Sequence, residues 1–305
     1  MESGMTLIAS PPHAILAWSE PTTVASDQDL LGTSPPMRTL RRLLRQVAPY
    51  DVPVLLEGEE GTGKRLVAEV IHGRSSYRGG PFVLLDCTAV ATMRLPFELF
   101  GCAAGICGCL PQGCPGLLEL AQGGTLFLRH VEALPSWAQA RLLQVLETGT
   151  VERLGATDGV TAHVRIIAAI TTGVGTQDKP AAAERLRADL GERLSGGVVL
   201  NVPPLRERGR DVLLLSQHFL RQANRETDRD VRGFSKEARI VLARYSWPGN
   251  LRELQRCVQW AVTKAGRQVT ADHLPRRVCA GGWPARARPP FGTARHDGFL
   301  AQRGH

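Results

Sequence analysis

A glycine-rich stretch with a single lysine is the part of the chain best suited to chemistry. It lies between the apolar run Val52 to Leu56 and the helix-like run Leu66 to Ile71, and it consists of Gly58, Glu59, Glu60, Gly61, Thr62, Gly63 and Lys64. A turn of this kind between a buried strand and a helix points backbone N–H groups inward at the positive end of the helix dipole. The glycines let a ligand approach closely, and the lysine reaches its terminal phosphates. The stretch therefore predicts a nucleotide phosphate site, which we call the phosphate loop.

Arg65 follows the loop at a position that usually holds Ser or Thr. The alternative to a phosphate site is an ordinary glycine-rich turn with a surface lysine. The flanking strand and helix patterns, which the motif requires, favour the phosphate site.

Composition restricts the class of protein. Of the 305 residues, 43% are hydrophobic and 22% charged, as in globular proteins, and no apolar run approaches the roughly 20 residues of a membrane span. The first residues have no basic segment before an apolar core, so we expect a cytoplasmic protein without a secretory signal. The net charge of +8 is compatible with an acidic partner but does not establish one.

Seven cysteines, an odd number, favour reduced thiols over a disulfide framework. Four of them fall close together, at Cys102, Cys107, Cys109 and Cys114. This cluster is open to a metal, redox or plain loop interpretation, although no pair has the two-residue gap common in zinc sites. We assign no metal ligand from the sequence.

Apolar runs separated by helical stretches predict the scaffold of the site. An amphipathic helix is expected over Pro36 to Val47 and another over Ser136 to Leu146. The expected strands after the phosphate loop are Phe82 to Leu85, Leu126 to Leu128, Val164 to Ile170 and Val198 to Val202. The fold class is thus α/β, a doubly wound parallel sheet, with ligands at the carboxyl ends of the strands.

From about Asp211 the pattern changes to helices alone, expected at Asp211 to Gln222, Ser235 to Tyr245 and Asn250 to Lys264, after a break at Pro203 and Pro204. We therefore expect a flexible leader over residues 1–28, the α/β domain over 29–202, a small α-helical lid domain over 203–275 and a disordered basic tail over 276–305. The tail carries six arginines against the single acid Asp297.

The order of the motifs resembles the central AAA+ ATPase domain of bacterial sigma-54-dependent transcription activators, from about Leu31 to Leu274. The blocks that carry the resemblance are the phosphate loop, Pro81-Phe82, Glu98-Leu99-Phe100-Gly101, Gly123-Gly124-Thr125-Leu126-Phe127-Leu128, Pro203-Pro204-Leu205-Arg206-Glu207-Arg208, and Trp247-Pro248-Gly249-Asn250-Leu251-Arg252-Glu253-Leu254.

The resemblance implies an AAA+ P-loop NTPase core that forms a ring, usually a hexamer, binds ATP between protomers and remodels polymerase carrying sigma-54. It implies that Arg252 is the lid arginine that senses the γ-phosphate. It also implies that Arg187 and Arg193 are arginine fingers for a neighbour's nucleotide, where a guanidinium offsets developing charge. The alternative for these two arginines is simple surface ion pairing.

The departures from the family concern hydrolysis. After Leu128 the family has an aspartate that organises Mg²⁺ and a glutamate that activates water, whereas this chain has Arg129 and His130. Because no carboxylate remains there for metal or base, we expect hydrolysis to be severely impaired and leave Mg²⁺ open. Asp86 and Thr171 replace two further family asparagines. A separate hypothesis is that Arg129, helped by Arg65, takes over charge neutralisation from Mg²⁺.

The segment that contacts sigma-54 also departs from the family. The family's Gly-Ala-Phe-Thr-Gly-Ala aligns with Gly105-Ile106-Cys107-Gly108-Cys109-Leu110, which lacks the aromatic and the threonine. We therefore do not expect productive contact with polymerase carrying sigma-54. Residues 279–305 contain no recognisable DNA-binding helix-turn-helix, and residues 1–28 are too short for a sensory domain.

Three interpretations remain open from the sequence, so it does not decide whether the chain is an enzyme. The first is an ATP-binding, hydrolysis-impaired AAA+ regulator of transcription that forms homo-oligomers, or joins or caps rings of an active relative. The second is a working ATPase in which Glu59, Glu60 or Asp86 substitutes for the missing acids. The third is a non-enzymatic interaction protein with a vestigial phosphate loop.

Overall fold

A five-stranded parallel sheet forms the centre of the larger domain. The computed structural model describes residues 29–105, 113–173 and 185–280. The strands of the sheet are β1 (Val54–Gly58), β2 (Phe82–Asp86), β5 (Thr125–Arg129), β8 (Arg165–Thr171) and β9 (Val198–Asn201). Their order across the sheet is β2-β5-β8-β1-β9, and every neighbouring pair is parallel.

The register of the parallel strands aligns their C-terminal residues, including those with polar side chains, at one edge of the sheet. Gly58 lies opposite Thr171, and Asp86 lies opposite Arg129. Because all the strands run in the same direction, the phosphate loop, Asp86, Arg129 and Thr171 leave the sheet on the same side.

Both faces of the sheet are covered, so its strands are apolar along most of their length, with polar residues mainly at the strand ends. Helices α1 (Pro35–Val47) and α2 (Lys64–Gly73) cover one face, and α5 (Ser136–Thr148) and α6 (Ala188–Ser195) cover the other. Successive residues of β5 alternate between the two cores: Leu126 and Leu128 pack on the α5 side, while Phe127 packs on the α2 side. The predicted doubly wound parallel sheet is confirmed.

Shorter elements complete this domain. They are α3 (Leu95–Phe100), α4 (Leu117–Leu120), the paired strands β3 (Gly101–Cys102) and β4 (Cys114–Pro115), and the hairpin of β6 (Thr150–Glu152) and β7 (Gly159–Thr161). Cys102 and Cys114 lie opposite each other with their sulfur atoms 3.3 Å apart. Residues 106–112, which include Cys107, Cys109 and most of the expected sigma-54 contact, lie outside the described residues, as do 1–28.

The second domain is the predicted helical lid. It contains α7 (Asp211–Thr227), α8 (Lys236–Arg244), α9 (Asn250–Lys264) and a short α10 (Arg276–Cys279), with 3₁₀ turns at Leu205–Arg208 and Ala271–His273. Trp247 is fully buried at its centre and donates from its indole N–H to Leu242 O at 2.9 Å. Val278 of α10 is also buried in this core, so ordered lid structure continues past residue 275, and residues 281–305 are not described.

Asp211 joins the lid to the start of α1. Its carboxylate accepts hydrogen bonds from the backbone N–H of Thr33 at 2.7 Å and from the Ser34 hydroxyl at 2.6 Å, and it lies 3.6 Å from the guanidinium of Arg208. Burial opposes ionisation, but these hydrogen bonds and the Arg208 charge outweigh it and hold the pKa of Asp211 below its usual value. Among the described residues, no helix has the length and apolar character needed to cross a bilayer.

Candidate nucleotide site

The phosphate loop has the backbone shape that its glycines allow. Gly61 and Gly63 have φ values of 76° and 100°, in the left-handed region that other residues avoid. At Gly61 a Cβ atom would also overlap the carbonyl oxygen of Gly249 in the lid. The loop therefore depends on glycine both for its turn and for its close contact with the lid.

Lys64 begins α2 and is buried beneath the loop. Its ammonium group donates to Gly58 O at 2.6 Å, to Glu59 O at 2.9 Å and to the hydroxyl of Thr171 at 3.3 Å. Burial, reinforced by the positive charge of Arg129, lowers the pKa of Lys64 to about 8. The lysine is thus held at the end of the sheet with its charge only partly compensated, which favours an anion beside it.

Arg129, at the end of β5, forms an ion pair with Asp86 at the end of β2, with the two side chains 2.9 Å apart. A second nitrogen of Arg129 lies 3.7 Å from a carboxylate oxygen of Glu60 in the loop. Burial opposes ionisation of Asp86, but hydrogen bonds from Thr88 and the charge of Arg129 keep its pKa below the usual value. Asp86 therefore remains a carboxylate committed to Arg129.

His130 turns the chain away from the sheet, with a left-handed φ of 58°. Its Nδ1 lies 3.2 Å from the Thr171 hydroxyl and 3.4 Å from Oε1 of Glu132. Glu132 lies in the 3₁₀ turn Val131–Ala133 and is only 7% exposed, and its Oε2 has no hydrogen-bond partner among the described residues. No motif in the sequence marks this glutamate as a site residue. Its apolar neighbours Val131, Ala133 and Leu134 were the available signal that it is buried.

The lid contacts the loop through the two loop glutamates. Glu59 pairs with both terminal nitrogens of Arg206 at 2.6 and 2.7 Å, and Glu60 accepts from Arg252 at 2.7 Å. The side-chain amide of Asn250 donates to Glu59 Oε2 at 3.1 Å and to Glu60 O at 2.9 Å. The hydrogen bonds from Arg206 are the largest cause of the lowered pKa of Glu59. Neither Arg206 nor Asn250 was predicted as a site residue.

Comparison with known protein families agrees with this geometry. The model of the sigma-54 interaction domain matches residues 30–199, and the model of an AAA+ ATPase lid domain matches residues 206–287. The first of these matches alone covers more than half of the chain. The chain belongs to the sigma-54 interaction domain family.

Relatives within the sigma-54 interaction domain family include transcription regulators. The chain is 38% identical to the Psp operon transcriptional activator of Escherichia coli over 265 residues, covering 86% of this chain and 78% of that protein. It is 35% identical to the transcriptional regulatory protein ZraR of Salmonella typhimurium over 261 residues, covering 85% of this chain. The match spans only 58% of ZraR, so the longer relative contains regions with no counterpart in this comparison.

Solved structures support the same fold. NtrX from Brucella abortus in complex with ADP superposes with a TM-score of 0.74 at 33% identity, covering 88% of this chain and 59% of that one. The structure of NtrX in complex with ATP gives a TM-score of 0.73 at the same identity and coverage. The predicted AAA+ core with a helical lid is confirmed.

The residues expected to act in this family fall into two groups. The phosphate loop, Arg129, His130 and Arg252 converge at one end of the sheet. Arg65 instead pairs with Glu69 one turn along α2, at 2.7 Å. Arg187 pairs with Asp189 at 2.6 Å, and Arg193 donates to Leu146 O at 2.9 Å. Neither of these contacts reaches the loop, so the finger roles of Arg187 and Arg193 remain predictions.

The Mg²⁺ that the fold family implies does not fit the donor set at the end of β5. Mg²⁺ is bound through oxygen ligands, commonly one or two carboxylates. Here Asp86, the carboxylate at the end of β2, is paired with Arg129, whose guanidinium stands where the family has its metal-organising aspartate. Among the described residues, no group of three or more His, Cys, Asp and Glu is arranged to hold a metal ion.

Proposed function

We propose that the protein is a cytoplasmic, ATP-binding AAA+ regulator of transcription whose ATP hydrolysis is severely impaired. The observation that carries the proposal is the ion pair between Arg129 and Asp86, 2.9 Å long, beside a phosphate loop that keeps its glycines and Lys64. The loop supports binding of a nucleotide. The ion pair supports severe impairment of its hydrolysis, because it engages the Asp86 carboxylate with a fixed cation.

Several features support ATP as the ligand. Gly61, Gly63 and Lys64 keep the phosphate-binding pattern, and Arg252 of the lid lies against Glu60 of the loop at 2.7 Å. The NtrX structures, which have the same fold, were solved with ADP and with ATP. Phosphate oxygens can replace the loop carbonyl groups that now hold Lys64 and can relieve the charge shared by Lys64 and Arg129.

Impaired hydrolysis follows from the chemistry of phosphoryl transfer. Catalysis of this reaction depends on positioning the attacking water and on neutralising charge that develops at the phosphate. A cation and an imidazole at positions 129 and 130 replace the two carboxylates that do this work in the family. Of the substitutes considered from sequence, Glu59 and Glu60 are engaged by lid arginines and Asp86 by Arg129.

We further propose that the positive charge of Arg129 neutralises phosphate charge that Mg²⁺ neutralises in other members of the family. ATP binding to this protein would then not require the metal. A guanidinium pairs with two phosphate oxygens in a fork. Arg129 is one quarter exposed and therefore accessible to a ligand. Arg65, which pairs with Glu69 on α2, is a less direct contributor.

The test of metal independence is titration of a fluorescent ATP analogue with Mg²⁺ and with EDTA. We expect the dissociation constants to agree within about threefold, and we expect Arg129→Ala to weaken binding at least tenfold in EDTA, about 1.4 kcal/mol. Arg74→Ala, on the surface after α2, is the matched control. Loss of all wild-type binding on chelation would show that Arg129 does not replace the metal.

The proposed role in transcription is based on two arginines that match the family's arginine-finger segment. Arg187 and Arg193 are available for a neighbour's nucleotide, since a finger acts in trans even when its own site is inactive. The protein would therefore join or cap a ring, either of its own copies or of an active relative. Because residues 105–110 lack the aromatic and threonine of the family loop, we do not expect direct remodelling of polymerase carrying sigma-54.

The decisive experiment measures ATP affinity and phosphate release on the same purified full chain, with Lys64→Ala as the control. We expect ATP to bind and Lys64→Ala to abolish binding, with phosphate release at least a hundredfold slower than that of the Psp operon activator measured in parallel. Release at the rate of that relative would establish a working ATPase. Absence of ATP binding would favour a non-enzymatic interaction protein.

A further inference from the structure

The hydrogen-bonded chain behind the phosphate loop contains a carboxylate that none of the roles described above uses. It runs from the Lys64 ammonium to the Thr171 hydroxyl at 3.3 Å, from that hydroxyl to His130 Nδ1 at 3.2 Å, and from His130 Nδ1 to Glu132 Oε1 at 3.4 Å. The backbone N–H of Thr171 also lies 3.5 Å from Glu132 Oε1. The chain thus connects the end of β8, the turn after β5 and the first residue of α2.

Burial of the Glu132 carboxylate is energetically unfavourable unless other groups interact with it. Its side chain is 6% exposed, and within the described part of the chain nothing forms a hydrogen bond with its buried Oε2. A buried carboxylate is unfavourable unless its oxygens are satisfied. Its negative charge also acts on Lys64, where it opposes the lowering of that lysine's pKa by burial and by Arg129. Glu132 therefore belongs electrostatically to the phosphate site although it lies two residues beyond His130.

We propose that Glu132 positions His130 as the general base for the residual ATP hydrolysis of this protein. The proposal rests on the ATP-binding function proposed above and deepens it. A carboxylate facing Nδ1 favours the tautomer with hydrogen on Nδ1, which leaves Nε2 with a free electron pair. Nε2 makes no hydrogen bond within the described part of the chain, and the His130 side chain is 13% exposed, so a water molecule can reach it.

The proposed hydrolysis of ATP needs no metal ligand from the protein. His130 Nε2 takes a proton from a water molecule as the water oxygen forms a bond to the γ-phosphorus of ATP. The bond between that phosphorus and the β–γ bridging oxygen breaks, and its electron pair stays on ADP. His130 then passes the proton to solvent or to the released phosphate. Glu132 stabilises the imidazolium while the proton is held, as a carboxylate behind a histidine base does in hydrolases.

Replacement of the family's glutamate by His130 therefore does not remove every proton acceptor from this position. An imidazole accepts a proton, and the αL backbone at His130 brings it back towards Glu132 and Thr171 instead of along the strand direction. The proposal assigns His130 to proton transfer and Glu132 to positioning. Turnover is expected to be slow, because no metal-bound water is positioned for attack.

The test is a single-turnover assay with the full chain in excess over ATP labelled in the γ-phosphate. His130→Gly should lower the rate of phosphate release at least tenfold, and added imidazole should restore part of it. Glu132→Gln should also lower the rate at least tenfold without rescue by imidazole, while Glu132→Asp retains part of the activity. Both glutamate variants should still bind the fluorescent ATP analogue, which shows that the site is folded.

His163→Gly and Glu147→Gln, both exposed and remote from the loop, are the matched controls and should leave the rate unchanged. Wild-type rates for His130→Gly or Glu132→Gln would overturn the inference. So would a wild-type rate no higher than that of Lys64→Ala, and in that case intact ATP binding would leave the proposed function standing. Failure of the wild type to bind ATP would overturn both.

Discussion

At the scale of single residues, two cations, Arg129 and Lys64, lie close to the phosphate loop and differ in how their charges are compensated. Arg129 has Asp86 as its partner at 2.9 Å, while Lys64 has, among the residues that the structure describes, only neutral oxygen atoms within hydrogen-bonding distance. Two neighbouring positive charges raise the free energy of the protonated lysine, which explains part of its lowered pKa. A bound triphosphate would stabilise both cations at once.

This arrangement predicts that ATP affinity depends on pH through Lys64. The pKa of Lys64 is about 8 in the unliganded protein, and phosphate favours the ammonium form and raises it. Affinity should therefore be full below pH 8 and fall as the pH rises through that value. Between about pH 7.5 and pH 9 we expect a decrease of roughly eightfold. Phosphate groups, with a second pKa of about 6, stay ionised over this range.

Isothermal titration at several pH values measures this dependence. Lys64→Arg is the control because a guanidinium keeps its charge across the range, so its affinity should be nearly independent of pH. A wild-type profile as flat as that of Lys64→Arg would contradict the prediction.

At the scale of elements, the lid and the phosphate loop form one unit. Glu59 is held by Arg206 before α7 and by Asn250 at the start of α9, and the backbone N–H of Leu251 donates to Gly61 O at 2.9 Å. These contacts connect the loop to two separate parts of the lid. We therefore expect nucleotide binding at the loop to affect the positions of α7 and α9 together.

A second connection between the domains predicts a large loss of stability when it is broken. Asp211 is 1% exposed and compensates the charge of Arg208, which is 3% exposed and whose Nε finds no hydrogen-bond partner in residues 29–105, 113–173 and 185–280. Asp211→Ala would leave that buried guanidinium uncompensated, and we expect the free energy of unfolding to fall by about 3–5 kcal/mol. Urea denaturation measures the change. Asp228→Asn, an exposed residue at the end of α7, should change it by less than about 0.5 kcal/mol.

The same pair sets a dependence of stability on pH. The pKa of Asp211 is lower in the folded chain than in the unfolded one. Its contribution is therefore present above the unfolded value, about 3.9, and is lost as the pH falls through the folded value. Asp211→Ala should show less loss of stability over that acidic range than the wild type. An equal slope for both proteins would show that other carboxylates dominate.

The elements illustrate what the sequence could predict. Apolar strands followed by Gly58, Asp86, Arg129 and Thr171 were enough to place these residues at one edge, because parallel strands end on the same side of a sheet. The role of Glu132 was not predictable in this way, because its contact depends on the left-handed turn at His130. The partners of the loop glutamates were equally hidden, since Arg206 lies 147 residues from Glu59 and the two meet only when the lid packs.

At the scale of the whole molecule, the exposure of Arg187 and Arg193 is compatible with the arginine-finger role that we propose for them. Arg187 is 38% exposed, and among the described residues its guanidinium contacts only Asp189, two residues along the chain. Arg193 is exposed and reaches a backbone carbonyl of α5. Exposed pairs of this kind contribute little to folding stability, so these side chains are free to exchange their partners for a nucleotide on a neighbouring subunit.

We therefore expect assembly that depends on both ATP and these arginines. In sedimentation velocity experiments at high protein concentration, ATP should shift the wild type from monomer to larger species. The double variant Arg187→Ala with Arg193→Ala should stay mostly monomeric, with a melting temperature within about 2 °C of the wild type. Arg221→Ala, an exposed arginine of α7, is the matched control and should assemble normally. A wild type that remains strictly monomeric with ATP would contradict ring formation by this chain alone and would direct the search to mixed rings with an active relative.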